Sequence, residues 1–103
     1  MKLKPGVDMT GIKPELILGL VVADFVYSTF DVEMVVTSLL DGRHSLTSLH
    51  YAGCAADLRT RNIPEGLRKQ VRDDIAAALP NDFDVVLESN HIHMEWQPRR
   101  RST

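Results

Sequence analysis

FDVVLESNHIHMEWQ, residues 83–97, is the stretch whose reading decides the fold. Its two halves, FDVVLES and HIHMEWQ, are rich in strand-forming residues and close enough to pair as an antiparallel hairpin across Ser89 and Asn90. Side chains alternate along a strand, so His91, His93 and Glu95 fall on one face while Ile92, Met94 and Trp96 fall on the other. The apolar set must face a core. Two imidazoles and a carboxylate then stand together on the opposite face, with Glu88 shortly before them at the end of the preceding run.

The segments upstream supply what such a hairpin packs against. NIPEGLRKQVRDDIAAALP, residues 62–80, places Leu67, Val71, Ile75 and Leu79 four apart, which predicts an amphipathic helix from Pro64 to Leu79 that Pro80 ends. EMVVTSLL, residues 33–40, reads as a buried strand, DGRHSLTS, residues 41–48, as a polar loop, and the chain is expected to extend again from Gly53 to Leu58. A first helix opens at Thr10 or Gly11 and runs to about Tyr27, with Pro14 in its first turn, where a missing N–H costs nothing. Its apolar run from Leu16 to Val26 is interrupted by Gly19 and Asp24 and is too short to span a bilayer, so it predicts a buried helix and no membrane insertion. The expected fold class is α+β, a small antiparallel sheet with helices packed on one face.

The chain of 103 residues shows no internal repeat and no dividing linker, which predicts one domain spanning 1–103, with 1–10 and 98–103 as frayed ends, and a monomer. Hydrophobic residues at 44% and charged residues at 25% are those of a globular domain, not a disordered one. A net charge of −2 argues against a broad polyanion-binding surface, and the basic tail PRRRST, residues 98–103, is too short to predict a nucleic-acid partner. Lys2 and Lys4 are separated from the apolar run by Pro5, Gly6, Asp8 and Pro14, which is unlike a secretory signal; synthesis in the cytoplasm is expected.

Cys54 is the only cysteine, so a metal could be held only by His, Asp or Glu. SLHYAGCAAD, residues 48–57, sets His50 seven residues before Asp57 with small residues between. That odd spacing keeps the two off one face of a continuous strand, so a turn near Gly53 must bring His50 back beside Asp57, with Ala55 leaving the surroundings open. A catalytic zinc takes three N or O ligands and keeps a fourth position for water. His50, Asp57 and one histidine of the H-x-H pair would make such a set. Cys54, on the opposite strand face from Asp57, is expected to be a small buried residue, and Met94 and Trp96 to belong to the core.

These residues carry a resemblance. SLHYAGCAAD fits the pattern S-x-H-x-x-G-x-A-x-D at Ser48, His50, Gly53, Ala55 and Asp57, and ESNHIHMEW resembles the E-x-x-H-x-H segment that follows it in zinc D-Ala-D-Ala carboxypeptidases and L-alanyl-D-glutamate endopeptidases, the M15-type peptidoglycan peptidases. The stretch DGRHSLTSLHYAGCAADLRT is also similar to the zinc segment of hedgehog signalling domains, which share that fold. The resemblance runs from about Val35 to Trp96. It implies a hedgehog/DD-peptidase-like fold, a Zn2+ cofactor held by His50, Asp57 and His93, and a peptidoglycan peptide as substrate. It implies Glu88 as the general base that activates water; the gap from this glutamate to the ligand histidine varies among relatives and is five residues here, which leaves His91 and Glu95 as rivals. His91 resembles the histidine that steadies the oxyanion or positions the base. Ser48, Arg43 and His44 are implied on the substrate side, Arg43 as a clamp for a carboxylate. A phage or prophage lysis enzyme that acts on the cell wall would suit this set. A non-catalytic, zinc-stabilised hedgehog-like binding module would use the same three ligands.

Overall fold

The computed structural model describes residues 1–40 and 54–97. In chain order its elements are β1 (Lys2–Leu3), α1 (Pro14–Thr29), β2 (Val35–Leu40), β3 (Ala55–Arg59), a single 3-10 turn (Glu65–Leu67), α2 (Arg68–Ala78), β4 (Phe83–Leu87) and β5 (His91–Trp96). The fold is α+β, a five-stranded sheet of order β1-β2-β3-β5-β4 with two helices.

The sheet is mixed, which corrects the expectation of an antiparallel one. β2, β3, β5 and β4 pair antiparallel, but Lys2–Leu3 joins the edge parallel to β2, tied by Lys2 N–H to the Met34 carbonyl and Lys4 N–H to the Val36 carbonyl, both at 2.9 Å. The start of the chain is therefore an edge strand where a frayed end was expected. Two residues with no apolar alternation carry no strand signal, and β2 supplies the backbone groups that recruit them. The hairpin has the expected form. Glu88 N–H donates to the His91 carbonyl at 2.8 Å, closing a two-residue connection at Ser89 and Asn90.

Alternation along the strands divides the sheet into two faces. Val36, Ala56, Leu58, Val85, Ile92 and Met94 join Leu16, Leu20, Ala23 and Tyr27 of α1 and Val71 and Ile75 of α2 in one core. Within the predicted amphipathic helix, Val71 and Ile75 are buried, whereas Leu67 sits in the 3-10 turn that precedes α2 and stays exposed. Met94 is core as expected, and Trp96, half-buried, donates its indole N–H to Asp82 Oδ2 at 3.0 Å.

α1 begins with Pro14 at its first position, later than Thr10 or Gly11. It is not buried all round. One side packs on the core, while Leu18 and Phe25 remain 66% and 69% exposed. The sequence of α1 is apolar on every side, so no stripe in it marks which face turns inward. No helix among the described residues is long and apolar enough to cross a membrane. At its end Asp31 takes a left-handed conformation (φ 59°), and Asp31 N–H and Val32 N–H donate to the carbonyls of Ser28 and Tyr27. This is a Schellman closure with aspartate where glycine is favoured.

Candidate metal centre

The open face of the sheet is organised by register. Three rows of side chains cross it: Ala55, Glu95 and Asp84; then Ser38, Asp57, His93 and Val86; then Arg59 and His91, with Glu88 opposite His91 at the hairpin closure. Asp57 and His93 are direct partners on neighbouring antiparallel strands, so their side chains rise side by side. His93 Nδ1 lies 2.8 Å from Asp57 Oδ1, and His93 Nε2 lies 3.0 Å from Glu95 Oε1. His91 Nε2 approaches the same Asp57 oxygen at 3.5 Å, and His91 Nδ1 lies 2.6 Å from Asn90 Oδ1.

Asn90 Oδ1 is an acceptor, and the Nδ1–H tautomer of His91 donates to it. His93 is pushed above the ordinary histidine range, first by its hydrogen bond to Asp57 and then by that to Glu95, against the opposing effect of burial. A protonated His93 donates to both carboxylates at once.

The donor set fits a divalent cation. Asp57, His91 and His93 each offer one ligand atom, and these atoms lie within 4.8 Å of one another. Two imidazole nitrogens and one carboxylate oxygen match the ligand types of zinc. With Nδ1 of His93 turned to the metal, Glu95 would keep the Nε2 proton, the carboxylate-to-histidine bracing found behind metal-ligating imidazoles. Glu95 is 5% exposed and bound to His93, which suits bracing better than the general-base role held open for it.

The structure thus brings together Asp57, His93 and His91. Glu88 lines a cleft of about 480 Å³ with these three, Asp84, Val86 and Glu95, while its exposed side chain makes no hydrogen bond or ion pair among the described residues. His50, Ser48, Arg43, His44 and the turn expected at Gly53 lie outside the described residues. Ala55 shares the face of Asp57 but is fully buried, so it leaves no opening at that point. Cys54 is buried as expected. Sequence reading missed Asp84 and Arg59 as neighbours of the cluster, although pairing the hairpin residue by residue would have set Asp84 beside Glu95.

No family model matches the chain, and no curated protein matches it. The resemblance to zinc peptidases rests on the motif residues themselves.

Proposed function

We propose that this protein is a zinc-dependent peptidase with a hedgehog/DD-peptidase-like fold, hydrolysing peptide bonds of peptidoglycan stem peptides as a carboxypeptidase or endopeptidase. One observation carries the reading. Asp57 and His93, which two separate motifs single out as ligands 36 residues apart, are register partners with their donor atoms 2.8 Å apart. Zinc, when bound there, would polarise a carbonyl and lower the pKa of water toward neutrality. His50 completes the ligand set in this reading, while His91 lies beside Asp57 and Asn90. Glu88, on the same cleft, takes the proton from the attacking water and returns it to the leaving amine. Glu95 fixes the His93 ring. The substrate class follows from the resemblance, as does action at the cell wall in phage or prophage lysis.

The exposed position of Glu88, without a hydrogen bond to the cluster, favours the second reading, a zinc-stabilised binding module without turnover. One experiment separates the two. The zinc-loaded protein is incubated with muropeptides, and released D-alanine or cleaved cross-links are measured. Glu88→Gln is expected to keep zinc and to lose turnover by about 10²- to 10⁴-fold. Bound zinc with no product from the unaltered protein would leave the binding module.

A further inference from the structure

A second cleft adjoins the metal cluster, and its charge is opposite. It has a volume of about 610 Å³ and shares Asp57 and His91 with the first, but among the described residues the remainder of its lining is Lys4, Thr37, Ser38, Arg59, Arg61 and Asn90. Three cations and two hydroxyls converge there from separate parts of the chain. Arg59 is the register partner of His91 and stands two residues from Asp57 on the same strand face. Lys4 follows β1 and is held by its N–H bond to Val36. The register of β2 against β3 slips between Val36 and Ser38, and a slip of this kind re-aims a side chain, which accounts for consecutive Thr37 and Ser38 both lining the cleft. Thr37 Oγ1 donates to the Asp57 carbonyl at 3.3 Å, fastening the irregular segment to β3.

Lys4, Arg59 and Arg61 have no side-chain ion pair among the described residues. Cations placed to neutralise the carboxylates of the other cleft would pair with them; these three make no such pair and stand on the far side of His91 from Glu88. We infer that this cleft is an anion subsite that binds a carboxylate of the peptide ligand, with Arg59 as its principal contact and Lys4 and Arg61 as supporting charges. A guanidinium offers the planar pair of N–H donors that a carboxylate accepts, and the Ser38 hydroxyl can donate to a remaining lone pair. The inference rests on the peptidase reading for the identity of the ligand as a peptide. It makes Arg59 a specificity residue: a peptide with a free carboxylate beside the bond presented to the metal cluster is preferred over its neutral counterpart.

The test uses three short peptides: one with a free C-terminal carboxylate, the same peptide with a C-terminal amide, and the amide with its last residue replaced by glutamate. Binding to the zinc-loaded Glu88→Gln protein is measured by calorimetry, and hydrolysis by the unaltered protein is measured in parallel. At least one carboxylate peptide is expected to bind about 10- to 100-fold more tightly than the neutral amide, and which of the two does so tells whether the main-chain or side-chain group is read. Arg59→Gln is expected to erase that preference by weakening the carboxylate peptide alone, appearing in KM more than kcat, and the preference should shrink as salt rises. Because Arg59 is half-buried, the exposed Lys4→Gln and Arg61→Gln variants are measured as well, each expected to reduce the preference in part. Equal binding of all three peptides, or a preference untouched by all three substitutions, overturns the subsite. A carboxylate preference that depends on Arg59 with no hydrolysis of any peptide upholds it while sinking the peptidase reading.

Discussion

Asp57 and His93 meet at 2.8 Å because β3 and β5 are paired in a register that sets them directly opposite each other. Backbone pairing, not a flexible loop, thus fixes two corners of the candidate metal centre. His93 is also braced, since Glu95 holds its far nitrogen, and His91 Nε2 lies 3.5 Å from the same Asp57 oxygen.

The third ligand can be decided by titration. The motif assigns it to His50, while the described geometry also offers His91. Asp57→Ala and His93→Ala are each expected to abolish zinc binding, measured by competition with a chromophoric chelator, and to remove the rise in melting temperature that zinc confers. His50→Ala is expected to do the same, and His91→Ala to retain zinc. The reverse pattern would show that Asp57, His91 and His93 are the ligand set.

Glu95 is expected to matter to affinity without touching the metal. Glu95→Gln keeps the shape but weakens the charge that orients the His93 Nε2 proton. Loss of such a bracing partner costs about 10- to 100-fold in metal affinity. Zinc affinity measured on Glu95→Gln should fall in that range with the fold intact, and an unchanged affinity would remove Glu95 from the site.

The pH dependence follows from His93, whose proton affinity in the folded chain is raised above the ordinary value of 6.5. Below pH 6.5 both folded and unfolded chains carry this proton, and the stabilisation from the Asp57 and Glu95 contacts is fully present. Above it the unfolded chain loses the proton first, so stability falls as pH rises until the folded His93 has also titrated. The metal-free protein should therefore melt at progressively lower temperature from pH 6.5 upward, and His93→Gln should flatten that slope. Zinc affinity should run the other way, since the metal competes with the His93 proton. Measured melting temperatures that rise through this window would contradict the assignment.

How much of this was legible beforehand depends on what each element encodes. The alternation in HIHMEW is a period-two signal, and it placed Ile92 and Met94 in the core and His91, His93 and Glu95 on the opposite face of the sheet, where Glu95 is nonetheless buried. Val71 and Ile75 were equally plain from their spacing. β1 was not legible, because two residues carry no period and depend on β2 to define them. The inward face of α1 was hidden by apolar residues on every side. At the site, the residue types were readable but their neighbours were not. Asp84 and Arg59 enter through cross-strand register, which one sequence does not display until the pairing is known.

Tyr27 links the core to the site and offers a test of the fold that needs no metal. Its ring is fully buried in α1, its hydroxyl donates to the Arg59 carbonyl at 2.7 Å, and burial pushes its ionisation well above the ordinary tyrosine range. Arg59 is the last residue of β3, so this bond ties the end of the strand to α1. Tyr27→Phe preserves the ring packing and removes only that donor, leaving a polar group to be satisfied at the end of the strand. The expected loss is about 1–2 kcal/mol of unfolding free energy. Denaturant unfolding would read it as a lower midpoint with an unchanged slope. An unshifted midpoint would mean that the β3 terminus finds another donor at no cost, and that Tyr27 contributes to the fold through its ring alone.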